Sequence, residues 1–349
     1  MKMSGIVIGG HRIASSEPFI VAEAGINHNG DIQKALKMVR VAKKAGADAI
    51  KFQTYKAEEI CSSPKQLYTY RSKGKTVKES MRAMFKRCEF TPEEWGRIQR
   101  ECKKEKIAFL STPQNRSDLD FLLTLGVPAI KVGSDDFVNT PLLKDFTKTK
   151  LPLILSCGMA DLNEVRESLE AAGAFKGYPV VLLLCTSEYP APPGSMNLRR
   201  LKTLAQNFPG IPLGLSDHSQ GPLASSIAAA FGACVFEKHF TLSHDLPGPD
   251  HWFSEDPAGL QEWTRAIRLS YRLLGSPVVE PTKKELGDRK NFRRFLVASR
   301  KIRKGQAYSG SNVVARRIEG GRGLEAKKLF EVMGKKAVKN YAVGEPVGL

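Results

Sequence analysis

Eight short apolar runs, at 19–22, 49–52, 107–110, 129–132, 153–155, 180–184, 213–215 and 234–236, recur along most of the chain. Between them lie amphipathic stretches of helical period at 31–45, 92–105, 117–125, 162–172, 197–207 and 220–232, with a shorter one at 138–148. A last one at 257–274 carries Leu260, Trp263, Ile267 and Tyr271 near one face. Strand–helix alternation repeated eight times favours a closed α/β barrel over an open sheet. A doubly wound open sheet is the competing arrangement, but the Gly-x-Gly-x-x-Gly phosphate turn expected of it is missing. In a parallel barrel the carboxyl ends of the strands share one face, and an active site belongs there.

The pattern breaks in two places. Between Gln53 and Pro92 the chain runs too far for a barrel loop, which predicts a partly helical insertion over the mouth of the site, a bland ordered excursion being the alternative. After Gly275 the composition changes. Residues 276–294 have prolines, many charges and little periodicity, like a linker; 295–349 have short β-like runs and Gly-rich turns, like a small separate domain docking onto another subunit. The expected division is therefore 1–275, 276–294 and 295–349. No apolar run nears the roughly 18 residues of a membrane span and no leader is visible, so a cytoplasmic protein is expected. Six scattered cysteines read as free thiols. Lys plus Arg exceed Asp plus Glu by 54 to 36, a net +18. No aromatic–basic interleaving accompanies that excess, so anionic small substrates are expected in preference to nucleic acid.

The strand ends carry the chemistry. Lys51 and Lys131 lie inside apolar runs, where an ammonium is costly unless a partner neutralises it. With the hydroxyls of Thr112, Ser134, Ser156 and Ser216 they make a ring suited to a phosphate dianion. The alternative is that each lysine pairs with a neighbouring acid such as Glu23 or Glu237. His218 and His239 end successive strand–helix–strand segments and are placed as a metal pair, unless they are two unrelated loop histidines. His28 is expected to be structural or substrate-orienting, His244 and His251 to be solvated. Cys157 and Cys185 are expected to be packing thiols whose pKa is raised by apolar neighbours.

These residues sit in motifs that resemble a known family. FIVAEAGINHNG (19–30), IKFQT (50–54), LSTP (110–113), IKVGS (130–134), SCGM (156–159), GLSDH (214–218), EKHFT (237–241) and GPDH (248–251) are similar, in order, to the sialic acid synthase family, the phosphoenolpyruvate-dependent nonulosonate synthases. The resemblance implies a TIM (β/α)8 barrel followed by a small antifreeze-like (SAF) domain, in a domain-swapped homodimer; ASRKIRKG (298–305) resembles the opening of that domain. It implies a transferase that condenses phosphoenolpyruvate with an open-chain N-acetylmannosamine-type sugar, giving a sialic or legionaminic acid and inorganic phosphate. By the same resemblance His218 and His239 bind a divalent metal, manganese or magnesium. Lys51, Thr112, Lys131, Ser134, Ser156, Ser187 and Ser216 would hold phosphoenolpyruvate, while Glu23, Gln53, Asp136, Tyr189 and Asp250 face the sugar or a catalytic water. Asp135 and Asp136 stand where the family often has Gly followed by an acid, and Cys157 replaces a common threonine. Arg317, with Arg316 and Arg322 as alternatives, would be the arginine that reaches the partner's sugar site. Competing readings are a pseudaminic acid synthase, a 3-deoxy-heptulosonate phosphate synthase, which would need an arginine-rich site, and a non-catalytic carbohydrate-binding barrel.

Overall fold

The structure is a computed structural model and describes residues 5–13 and 16–349. Residues 1–4 and 14–15, within the expected first domain, lie outside the described residues. The chain divides into two compact units, Met1–Gly275 and Ser276–Leu349.

In the first unit each of the eight apolar runs is a strand. They are β1 (Phe19–Gly25), β2 (Ala49–Thr54), β3 (Ala108–Pro113), β4 (Ile130–Val132), β5 (Leu153–Ser156), β6 (Val180–Cys185), β7 (Leu213–Ser216) and β8 (Ala233–His239). Their ladders are parallel, in the order β3-β2-β1-β8-β7-β6-β5-β4. The two ends of that order, β3 and β4, lie side by side and bring the sheet nearly to closure as a barrel. Around it run α1 (Ile32–Lys44), α2 (Pro92–Glu105), α3 (Arg116–Leu125), α4 (Thr140–Thr147), α5 (Leu162–Ala171), α6 (Arg200–Asn207), α7 (Leu223–Ala230) and α8 (Pro257–Leu274). Sharp starts reflect local chemistry: α2 follows a Thr91–Glu94 capping box with proline in its first turn.

Successive strand residues point to opposite faces, so one alternate set faces the helices and the other fills the barrel. The outward set, including Ile20, Ile50, Phe109, Ile130, Leu155, Leu182, Leu215 and Phe236, belongs to the main core with the helices. The inward set changes character along the axis. Towards the strand starts it is apolar: Val21, Ala49, Leu110, Ala129, Ile154, Leu183 and Val235 form one cluster. Ile6, Ile8 and Ile13, on and beside a hairpin of Val7–Ile8 with His11–Arg12, join that cluster and close the lower end. Sequence periodicity could not announce that hairpin, because strands of two residues have no period.

The insertion after β2 is half helical and half β: Ala57–Ile60, an antiparallel hairpin of Leu67–Ser72 with Lys75–Ser80, then Met81–Arg87. The second unit, taken by itself, begins with a capped helix, Lys283–Phe292, inside the stretch expected as linker. Phe295–Ala298 then pairs antiparallel with Val313–Arg316 over a small core that includes Leu296, Ile302, Tyr308, Val332 and Tyr341. Among the described residues no helix is long and apolar enough to cross a membrane.

Candidate active site

Two residues beyond the apolar inward layer, every strand supplies one inward side chain of a different kind. These are Glu23, Lys51, Thr112, Lys131, Ser156, Cys185, Ser216 and Glu237, and all eight line one cavity of about 650 Å³ at the carboxyl ends of the strands. Each is nearly solvent-free. The register sets neighbours beside one another: Glu23 is opposite Lys51, Cys185 opposite Ser216, Ser216 opposite Glu237 and Glu23 opposite His239.

The lysines do pair with acids. Lys51 Nζ lies 2.8 Å from Glu23 and 3.8 Å from Glu237 and donates to Thr112 Oγ1 at 3.2 Å. Lys131 Nζ lies 3.5 Å from Glu237 and donates to Ser156 Oγ at 2.8 Å and to the Val132 carbonyl at 2.9 Å. Ser216 Oγ donates to Glu237 at 3.0 Å. Ion pairing and cavity lining are thus the same arrangement. Glu237 lies near both ammoniums and Glu23 beside one of them, which is how two ammoniums can be kept in a barrel interior.

The two carboxylates are driven apart. Burial pushes Glu23 up, to about 7, against the attraction of Lys51. Burial also acts to raise Glu237, but the ammoniums of Lys131 and Lys51 outweigh it and hold that carboxyl at about 2. The environment thus raises one acid and lowers the other, a division suited to acid–base work.

His218 and His239 come together, with ring centroids 5.5 Å apart. His218 Nδ1 donates to the Thr186 carbonyl at 2.7 Å, which leaves its Nε2 as an acceptor. His239 Nδ1 is buried without a hydrogen-bond partner. Burial first, then His218, lowers the basicity of His239 and keeps it neutral. In His218 burial acts to lower the imidazole, but Cys185 and the Thr186 carbonyl together outweigh it and raise it, so a divalent ion there would have to displace a proton. The orphaned nitrogen of His239 beside it fits such an ion as a ligand, although among the described residues no three His, Cys, Asp or Glu groups converge as a ready-made cage.

Of the other expected residues, Gln53, Ser134, Ser187 and Tyr189 line the same cavity. Ser134 Oγ accepts from the Gly158 amide at 3.0 Å, Ser187 Oγ is buried without a partner, and the Tyr189 ring lies 4.2 Å from that of His218. Asp250 lines an adjoining cavity that shares Gln53, Tyr189 and His239 with the first. The expectation for Asp136 is corrected: Asp135 lines the cavity, whereas Asp136 accepts from Asn139 Nδ2 at 3.0 Å at the entry to α4. Arg317, in the second unit, packs its guanidinium over Phe292 of the same unit, 5.7 Å from the ring centre.

Two further expectations change, those for His251 and Cys185. His251 is buried, its Nδ1 2.7 Å from Thr241 Oγ1, whereas His244 is exposed, as expected, with Nε2 donating to the Ser254 carbonyl at 2.7 Å. Of the two roles expected for His28, its surroundings fit the structural one: it is buried, stacked on Phe90 at 4.3 Å, with Nδ1 accepting from the Gly30 amide. Cys157 is pushed up to about 12 by burial, as expected, but in Cys185 the hydrogen bond to His218 overrides burial and lowers the thiol. Within the motifs, Asp217 and Lys238 face away from the cavity and pair with each other at 3.0 Å. Tyr55, Tyr68, Phe85 and Gln114 line the cavity without having been singled out. Strand alternation would have found Glu237 as a cavity residue, but no periodic signal marks side chains from the insertion.

Residues 38–278 match the NeuB family. The N,N'-diacetyllegionaminic acid synthase of Legionella pneumophila is 37% identical over 98% of this chain and 96% of its own length. The human N-acetylneuraminate-9-phosphate synthase is 33% identical over 92% of this chain and 88% of its own. The crystal structure of the N-acetylneuraminic acid (sialic acid) synthetase of Leptospira borgpetersenii serovar Hardjo-bovis superposes with a TM-score of 0.73 at 32% identity, covering 83% of this chain and 98% of that one. With a match that spans most of the barrel and its polar ring, and with relatives aligned along nearly the whole length, the chain belongs to the NeuB family.

Proposed function

We propose that the protein is a transferase condensing phosphoenolpyruvate with an open-chain N-acetylmannosamine-type sugar, to give a nonulosonic acid of the sialic or legionaminic type and inorganic phosphate. The observation that carries this reading is the eight-membered ring with two buried ammoniums among hydroxyls, which suits a small dianion. Lys51 and Lys131, with Thr112, Ser134, Ser156, Ser187 and Ser216, hold the phosphate and carboxylate of phosphoenolpyruvate. A divalent ion, manganese or magnesium, held by His218 and His239 would supply a Lewis acid for the sugar's carbonyl oxygen. Gln53, Tyr189 and Asp250 orient the aldehyde so that C3 of the enol ester attacks it and the new C–C bond forms. Glu23, its basicity raised by burial, takes a proton from the water that adds at C2. The proton held by Glu23 passes to the alkoxide left on the former aldehyde oxygen. The C2 hydroxyl then loses its proton to the departing phosphate as the C2 carbonyl forms and the C2–O bond to phosphate breaks, the leaving charge stabilised by Lys51 and Lys131.

The same reading extends to a small SAF-type domain at 295–349, a domain-swapped homodimer in which Arg317 reaches the partner's site, and a cytoplasmic enzyme. Sedimentation velocity tests the dimer. The activity is tested by supplying phosphoenolpyruvate with N-acetylmannosamine and its acylamino and deoxy analogues and following phosphate together with product mass. A nine-carbon acid, loss of turnover with a chelator and recovery with manganese are expected. Phosphate released without any new C–C bond would overturn the proposal.

A further inference from the structure

Behind the two histidines, on the helix side of the barrel, lies a buried polar network. Strand alternation turns the residue after each ring residue outward. After the first six ring residues these are Ala24, Phe52, Pro113, Val132, Cys157 and Thr186, none of them charged. After the last two they are Asp217 and Lys238, both buried, and the next residues along are His218 and His239. Lys238 Nζ lies 3.0 Å from Asp217 and 3.8 Å from Glu255, and donates to the carbonyls of Ser219 and, at 3.1 Å, Gly221. Asp217 accepts from the Ser219 amide and hydroxyl at 2.9 and 2.6 Å and from Ser225 Oγ of α7 at 2.7 Å. Ser225 in turn accepts from Trp263 Nε1 of α8 at 2.9 Å. Glu255 accepts from the Gly221 amide at 2.9 Å, and its own amide donates to the His239 carbonyl at 2.9 Å. The network therefore holds the chain on both sides of each imidazole. Asp217 and Ser219 flank His218, while Lys238 precedes His239 and Glu255 bonds its carbonyl. Stability alone explains this poorly, because apolar residues in place of a buried ion pair are often neutral or stabilising. What a satisfied polar network adds is a fixed geometry.

Building on the proposed metal pair, we propose that Asp217, Lys238 and Glu255 are positioning residues that act through the backbone to hold the imidazoles of His218 and His239 at the separation a divalent ion needs. Ser225 and Trp263 anchor the network to α7 and α8. None of the three lines the ring cavity, so they act on the histidines and not on a substrate.

The test is manganese binding to the whole protein by titration calorimetry, with the visible absorption of bound cobalt reporting ligand geometry and urea midpoints reporting stability. Lys238→Met should weaken manganese binding by about tenfold to a hundredfold, the usual cost of losing a group that orients metal ligands, and should shift the cobalt bands. It should also lower the midpoint, because Asp217 is left buried without its cation. The double variant Asp217→Asn with Lys238→Met should recover the midpoint but not the affinity. Thr264→Val, buried on α8 and bonded to the Ala45 carbonyl outside the network, should lower the midpoint and leave the affinity unchanged. A double variant that binds manganese like the parent overturns the proposal. So does a Thr264→Val protein whose affinity falls in step with its midpoint. If the parent binds neither ion, the metal reading is refuted, and the ring nitrogen-15 shifts of the histidines decide the positioning by themselves. Shifts of His218 and His239 that move in the double variant support it, and shifts that stay in place overturn it.

Discussion

Lys131 is the residue on which site and stability meet most directly. Its ammonium is nearly solvent-free and touches Glu237, Ser156 and a backbone carbonyl. Replacing it by Met keeps the bulk and removes the charge. Turnover should fall by about 10²- to 10³-fold, as when one preorganised donor to developing charge is lost. Stability should fall too, by up to about 3–5 kcal/mol, because Glu237 keeps only Lys51, at 3.8 Å, as a cation. The double variant Lys131→Met with Glu237→Gln should recover the urea midpoint without recovering phosphate release; recovery of both would mean that the lysine serves packing alone. His28 gives a cleaner pH prediction. Burial first, then His251, holds its imidazole at about 3 against an ordinary 6.5. A base with a lowered folded pKa contributes stability that is complete above the unfolded value and lost as pH falls towards 3. Between pH 6 and pH 4 the stability lead of the parent over His28→Gln should therefore shrink by about 1.4 kcal/mol per pH unit, read from urea midpoints. A constant difference would place the proton elsewhere.

Among the elements, the insertion after β2 departs most from the barrel plan. Its residues reach the cavity through Ile60, Tyr68 and Phe85, and Ser72 Oγ accepts from the Gly248 amide at 3.1 Å, tying its hairpin to the loop after β8. The seat of its helix Met81–Arg87 is Gly30, at φ +71°, where a Cβ would come within 2.0 Å of the Arg87 carbonyl oxygen. Gly30→Ala should lift that helix, raise KM for the sugar more than KM for phosphoenolpyruvate, and speed amide exchange across 81–88. Unchanged exchange there would show that the contact does not hold the lid. The barrel strands and helices were legible because each repeats a period long enough to count, and Lys51 and Lys131 were legible because charge inside an apolar run is costly. The insertion's hairpin was not, since its exposed, alternately charged strand Lys75–Ser80 has no buried face to leave a pattern. Asp135 could not be told from Asp136 by sequence either, as the choice depends on which carboxylate Asn139 captures at the start of α4.

At the scale of the whole molecule the two units differ in what holds them. The barrel unit has a continuous core with a second cluster inside the sheet. Ser276–Leu349 has a small core cluster of nine buried residues. It also carries 18 Lys and Arg against seven Asp and Glu, so +11 of the chain's +18 falls on its 74 residues. Short chains bury a smaller fraction of their surface and are marginal on that account, and like charges at this density repel in the compact state. Screening weakens that repulsion over about 10 Å at 0.1 M salt. Separated between Gly275 and Ser276, the barrel fragment should unfold cooperatively with a midpoint nearly independent of sodium chloride. The small fragment should be only marginally folded at low salt and gain stability as salt rises to about 0.5 M, where the screening length is shorter still. Circular dichroism during urea titration of each fragment at two salt concentrations separates the outcomes. A small fragment that is salt-insensitive would show that its ion pairs, such as Lys339–Glu345 at 2.5 Å, offset the excess charge locally, and that the basic balance bears on what the unit meets in solution rather than on how it folds.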